Sequence, residues 1–155
     1  MRLEEKISQM LIKQKKTLSL AESCSGGLLS HRLTNIPGAT AFLKAALVVY
    51  SNEAKTKLLK VPAPLIQKHG AVSEPVAAVL AKQARLLFKT DFGVSITGIA
   101  GPGGGSIRKP VGLTFIALSA PGKTVCLKCR LVGTRSRIKK QATDKALRLL
   151  NDFLK

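Results

Sequence analysis

Three short segments bring reactive side chains and glycine together. In Glu22-Ser23-Cys24-Ser25-Gly26-Gly27 a hydroxyl sits between an apolar run and a helical pattern, so the chain reads as strand, turn, helix. A serine at such a turn stands exposed, and the N–H groups of the first helical turn can receive negative charge. That arrangement suits a nucleophile with an oxyanion site beside it. A serine that only caps the helix gives the same pattern. In Tyr50-Ser51-Asn52-Glu53-Ala54-Lys55 the tyrosine ends an apolar strand and the lysine falls in the first turns of the next helix. A lysine in a partly desolvated pocket loses its proton readily and can act as a base, whereas one on a solvated helix face is structural. The third segment runs from Thr97 to Ser106 and is the most glycine-dense part of the chain. It lacks the Gly-Lys-Ser/Thr of a nucleoside-triphosphate loop and leads toward a strand, which also sets it apart from a dinucleotide fingerprint. Its backbone can wrap a phosphate or let a ligand approach closely, and a flexible turn accounts for it equally well.

Other candidate chemistry is thinner. Cys126 and Cys129 form a C-x2-C, but the chain has three cysteines in all and two distant histidines, His31 and His69. A closed zinc site asks for four nitrogen or sulfur ligands, so the expectation is two half-buried strand thiols and no metal. An odd cysteine count with no export signal fits reduced thiols in a cytosol. Glutamates stand where a basic leader segment would begin, and no apolar run approaches the ~20 residues that cross a bilayer. The chain is therefore expected in the cytoplasm, away from membranes.

The formal charge of +18, from 26 basic and 8 acidic side chains, points to polyanions or phosphorylated small molecules as partners. Basic residues occur in nearly every segment, so solvated lysines account for much of it. Residues 123–155 are locally richer, with ten Lys or Arg against two Asp. Aromatic residues make up 4% with no tryptophan, leaving few platforms for stacking bases.

The elements that must hold these segments follow from periodicity. Leu3, Ile7, Met10 and Leu11 space a helix over residues 3–15, and a strand follows at Thr17–Ala21. The continuous apolar run at 45–50 reads as a strand covered on both faces, and Ser51 caps a helix through Leu59. Ser73-Glu74-Pro75 opens a helix whose inward stripe is Val76, Val79, Leu80, Ala84 and Leu87. Phe92, Val94 and Ile96 alternate as a strand. Two more strands at 111–119 and 124–132 are joined by a short turn and so are antiparallel. A helix from about Thr134 to Leu154 turns Ile138, Ala142, Leu149, Leu150 and Phe153 inward. The 155 residues suffice for one domain, and alternating strands and helices give an α/β fold: three α/β/α layers around a mixed, mostly parallel sheet.

Taken in order, the segments resemble the CinA C-terminal domain family, which includes nicotinamide-nucleotide amidases. The matching strings are AESCSGGLLS (21–30), NIPGATAF (35–42), VVYSNEAKTKLL (48–59), HGAVSEPV (69–76), SITGIAGPGGGSIRKPVG (95–112) and GTRSRIKKQATDKAL (133–147). The resemblance implies an amidohydrolase that converts nicotinamide mononucleotide to the nicotinate nucleotide and ammonia, with no cofactor or metal. The family's nucleophile falls on Ser23, its lysine on Lys55 and its tyrosine on Tyr50, a catalytic set in which Lys55, or Tyr50 acting with it, would take the Ser23 proton. Backbone around Cys24, Ser25 and Gly26 would hold the oxyanion. Thr97 with Gly98, Gly101 and Gly104 would bind substrate, and Arg135 would take the nucleotide phosphate. The resemblance also implies a homodimer or higher homo-oligomer.

The sequence departs from the family at several positions. Ser25 replaces a usual threonine, Ala45-Ala46 a common Gly-Gly beside the site, Gly103 a common Asp, and Lys139 an arginine. The last two bear on nucleotide recognition. They keep open a non-catalytic binding or regulatory relative, and the charge keeps open a nucleic-acid-associated protein.

Overall fold

A computed structural model describes residues 1–155. Five strands, β1 (Leu18–Glu22), β2 (Leu43–Val48), β3 (Phe92–Gly98), β4 (Leu113–Ala120) and β5 (Lys123–Arg130), form one sheet in the order β2-β1-β3-β4-β5. β1 runs parallel to both β2 and β3, while β4 is antiparallel to β3 and to β5. Only β4 therefore runs against the other four, which makes the sheet mixed and mostly parallel, as expected.

Six helices close the layers: α1 (Leu3–Gln14), α2 (Leu28–Thr34), α3 (Asn52–Leu59), α4 (Ala63–His69), α5 (Glu74–Phe88) and α6 (Arg135–Leu154). On one face α1, α2 and α6 bury Ile7, Leu11, Leu29, Leu33, Ile138 and Leu150 against Leu20, Val94, Ile96 and Ile116. On the other, α3, α4 and α5 bury Leu59, Ile66, Val76 and Leu80 with Ala21 and Val49, and α5 also lays Ala77 and Ala81 on Phe115 and Ala117. The three-layer expectation holds. α5 sits so close that a Cβ on Gly93 would lie 2.1 Å from the Ala81 carbonyl oxygen; a strand glycine here marks close backbone approach.

Several finer expectations change. β2 is an edge strand, with Lys44, Ala46 and Val48 exposed in alternation, so its apolar run is not covered on both faces. Leu87 is 55% exposed; the buried face of α5 is Val76, Ala77, Leu80, Ala81 and Ala84 and ends before it. In α6 the fully inward positions include Ala146, Leu147 and Leu154, while Leu149 and Phe153 are half-buried at the margin. Helix α4 was not expected from a stretch holding two prolines, but Pro62 and Pro64 fall at its cap and first turn, where proline is tolerated. Cys126 packs on the α5 side of β5 and Cys129 on the α6 side, as an odd spacing on a strand requires. No helix is long and apolar enough to cross a membrane.

Candidate active site

The site lies where the two central parallel strands end. Glu22 closes β1, paired between Val48 and Ile96, and Ser23 continues the ladder through its N–H to the Ile96 carbonyl at 3.0 Å. The chain then turns sharply through Gly26 and Gly27, whose φ values of +61° and +96° suit glycine. Ser23, 8% exposed, is thereby held at the mouth of the turn. After β2, the Val49 N–H donates to the Glu22 carbonyl at 2.9 Å. Ser51 then caps α3 by accepting from the Ala54 N–H at 3.0 Å, which aims Lys55 back under the strand ends. Lys55 Nζ lies 3.1 Å from Ser23 Oγ and donates to the Val49 carbonyl at 2.9 Å.

Lys55 is 1% exposed and forms no ion pair with any carboxylate. Burial lowers the pKa of its ammonium from the usual lysine value of 10.5, because the charged form is the one that loses hydration. A neutral amine has one lone pair, and Ser23 Oγ is within reach to donate into it. The neighbouring Cys24 thiol is pushed up to about 11, chiefly by burial and further by the Glu22 carboxylate, so it stays protonated beside the serine.

Ser23, Lys55, Tyr50, Cys24, Thr97, Gly98, Gly101, Gly104 and Arg135 line one cavity of about 290 Å³. These residues come from four separate stretches of chain. Arg135, at the start of α6, reaches across the mouth; its Nη1 donates to the Gly101 carbonyl at 2.6 Å and its Nη2 to the Tyr50 hydroxyl at 2.9 Å. The guanidinium thus ties the glycine loop to the β2–α3 connection. Tyr50 is 60% exposed and hydrogen-bonds neither Ser23 nor Lys55. Thr97 donates its hydroxyl to the Ala71 carbonyl at 3.0 Å, fixing the α4–α5 connection against the cavity. Gly98 leaves no room for a Cβ, which would meet Thr114 Oγ1 at 2.6 Å.

Two expected residues are placed differently. Ser25 is fully buried and turned away from the cavity, its hydroxyl donating to Glu22 Oε1 at 2.7 Å. Gly26 spends its N–H on the Ser23 carbonyl at 3.0 Å, leaving the N–H groups of Cys24, Ser25 and Gly27 as the unpartnered ones of the turn. Nor is the first turn of α2 open to negative charge, because Glu22 takes the Leu29 and Ser30 N–H groups at 2.9 and 3.0 Å. The departures from the family sort in the same way. Gly103 lines the cavity, whereas Lys139 lies behind the turn against Gly26. Ala45 and Ala46 pair with Ser19 and Leu20, outside the cavity. Asn52, Ala71 and Val72 also line it; Asn52 lies within the Tyr50–Lys55 string, while the other two carry no chemical signature in sequence.

A family model, the CinA C-terminal domain, matches residues 1–154. A CinA-like protein of Syntrophus aciditrophicus is 46% identical over 153 residues, covering 98% of this chain and 36% of that protein. A putative competence-damage inducible protein of Moorella thermoacetica is 47% identical over 148 residues, covering 96% of this chain and 36% of that protein. The chain thus spans about a third of the length of these relatives. Among solved structures, a CinA superfamily protein from Klebsiella pneumoniae superposes with a TM-score of 0.95 at 31% identity, covering 98% of this chain and 95% of that one. A competence/damage inducible protein from Agrobacterium tumefaciens gives 0.93 at 34% identity, covering 100% and 98%.

Proposed function

The chain belongs to the CinA C-terminal domain family, and we propose that it is an amidohydrolase that deamidates nicotinamide mononucleotide through an acyl-enzyme on Ser23. The observation that carries the reading is the buried Lys55 amine, 3.1 Å from Ser23 Oγ, with no carboxylate to keep it charged. As the Ser23 oxygen attacks the amide carbon, its proton passes to Lys55. The N–H groups of Cys24 and Ser25 receive the negative charge on the former carbonyl oxygen. Collapse breaks the C–N bond, and the proton returns from Lys55 to the departing nitrogen, releasing ammonia. A water molecule then attacks the ester, gives its proton to Lys55, and frees the nicotinate nucleotide; Ser23 regains its hydrogen.

Tyr50 and Arg135 act at the mouth in this scheme. Tyr50 flanks the pyridine ring, and Arg135 offers the nucleotide phosphate a cation already oriented by Gly101 and Tyr50. A cavity of about 290 Å³ is at the small end of ligand pockets, which favours a mononucleotide over a polymer. The scheme uses no cofactor or metal, and we place it in the cytoplasm, where pyridine nucleotides are made and used. We propose that a homo-oligomer would pair along the outer edge of β2, where Lys44 is the only charge; the opposite edge strand carries Lys123, Lys128 and Arg130, which discourage strand pairing.

Ammonia release from nicotinamide mononucleotide, measured beside free nicotinamide, tests the proposal. Turnover of the nucleotide that Ser23→Ala abolishes supports it. No turnover by the folded wild-type chain would return the reading to a non-catalytic relative.

A further inference from the structure

We infer that Glu22 is the positioning residue of the nucleophile turn, acting through Ser25 to hold the oxyanion-binding N–H groups in place. The inference rests on the reading of Ser23 as nucleophile. It starts from a charge in an unusual setting. Glu22 is fully buried and no lysine, arginine or histidine pairs with it, an arrangement that is costly unless hydrogen bonds compensate. Three donors do so: the Ser25 hydroxyl at 2.7 Å and the Leu29 N–H at 2.9 Å on Oε1, and the Ser30 N–H at 3.0 Å on Oε2. Two of them are orphan N–H groups of the first turn of α2, whose own cap position is Gly27, without a side chain. Glu22 therefore caps α2 from the end of β1, and the positive end of the helix stabilises the carboxylate.

The third donor gives the arrangement its bearing on chemistry. Ser25 is in the middle of the turn, two residues after the nucleophile. Glu22 is locked on both sides, with Val48 and Ile96 as its sheet neighbours, so its carboxylate is a rigid anchor. The Ser25 hydroxyl bonds to that anchor, and the Gly26 N–H closes onto the Ser23 carbonyl. Between these two fixed points lie the unpartnered N–H groups of Cys24 and Ser25. With the α2 terminus spent on Glu22, the oxyanion donors of the proposed scheme are these amides, and their effect depends on being held before the charge develops. Glu22 touches no reacting atom. A carboxylate that served as a helix cap alone would affect stability and leave the reactivity of Ser23 alone.

The test uses a phosphonofluoridate probe, which depends on the nucleophile and its oxyanion site and not on the natural substrate. Ser23 Oγ forms a bond to phosphorus, fluoride leaves, and the serine proton passes to Lys55. Labelling rates are read by intact mass, and folding by thermal melting. Ser25→Ala removes the tie to the turn and leaves both helix-cap bonds. It should label at least tenfold more slowly with a melting temperature close to wild type. Ser25→Thr, which restores a hydroxyl, should recover the rate. Glu22→Leu, which offers Ser25 no acceptor, should lose at least as much as Ser25→Ala, and the double variant no more than Glu22→Leu, because both changes break one connection. On nicotinamide mononucleotide the same variants should lower kcat with little change in KM. Ser25→Ala labelling within twofold of wild type, or losses that multiply in the double variant, would overturn the inference. A wild-type chain left unlabelled at Ser23 would overturn the nucleophile reading beneath it.

Discussion

Lys55→Met isolates the feature on which the proposed chemistry depends. Methionine has nearly the length of the lysine stem, so the buried chain is kept while the amine is removed. Its activity should vanish, but stability as a function of pH is the more searching measurement. In the folded wild type the Lys55 pKa lies below the usual lysine value of 10.5 because burial penalises the ammonium. The sign follows from proton counts. Between the lowered folded value and 10.5, the unfolded chain holds a proton on Lys55 that the folded chain lacks, so raising the pH stabilises the fold. Below the folded value both states are protonated and the full cost of burying the charge is present. Linkage sets the steepest slope from one such group at about 1.4 kcal/mol per pH unit. Methionine has no such term. It leaves the Val49 carbonyl without the donor it has at 2.9 Å, a loss of about 1–3 kcal/mol that does not vary with pH. Urea unfolding of both proteins from pH 7 to pH 10 separates the two effects. The wild type should gain on the methionine variant as pH rises, and its amidase activity should rise through the same interval, since the neutral amine is the base. Stability curves that stay parallel across the range would show that Lys55 keeps an ordinary pKa, and the general-base argument would fail.

Other consequences are more local. Arg135→Lys puts one ammonium where a guanidinium now holds the Gly101 carbonyl and the Tyr50 hydroxyl together; KM for nicotinamide mononucleotide should rise, and by less for free nicotinamide. An equal change on both substrates would move the phosphate site away from Arg135. Gly93→Ala drives a methyl to 2.1 Å from the Ala81 carbonyl oxygen and should cost about 1–3 kcal/mol or more in urea unfolding; an unchanged midpoint would contradict the close seating of α5. The Cys24 thiol, raised to about 11, should resist iodoacetamide at pH 7.5 in the native protein and react once the chain is unfolded. Rapid native alkylation would mean a thiolate beside Ser23.

Much of the fold is written in local pattern. The turn at 23–27, the cap at Ser51 and the Ser73-Glu74-Pro75 helix start are decided by a few neighbouring residues, and the structure keeps all three. What sequence reading loses is lateral position. An apolar run such as 45–50 describes a strand's affinity for a core but not how many neighbours the sheet will give it, and β2 ends at the edge. Leu87 fails for a related reason. The face of α5 that meets the sheet is Val76, Ala77, Leu80, Ala81 and Ala84, with Ala81 seated directly over Gly93, and Leu87 near the helix end lies beyond that contact.

The site shows the same division. Ser23, Lys55, Thr97, Gly101 and Arg135 are named by short strings, and the fold draws them into one cavity from positions up to 112 residues apart in the chain. Their partners are less legible. Glu22 stands next to the nucleophile in every reading of the sequence, yet acidic side chains are seldom fully buried, and nothing local reveals that this one caps α2. Its capture of the Leu29 and Ser30 N–H groups closes the helix terminus that the sequence offers as a place for negative charge. Lys139 shows the reverse case: a substitution expected at the substrate lies against the back of the nucleophile turn. Lysine and the family's arginine carry the same charge, so the replacement leaves the field at the turn nearly as it was and changes what the side chain can hydrogen-bond there, a point charge standing where a planar fork would be.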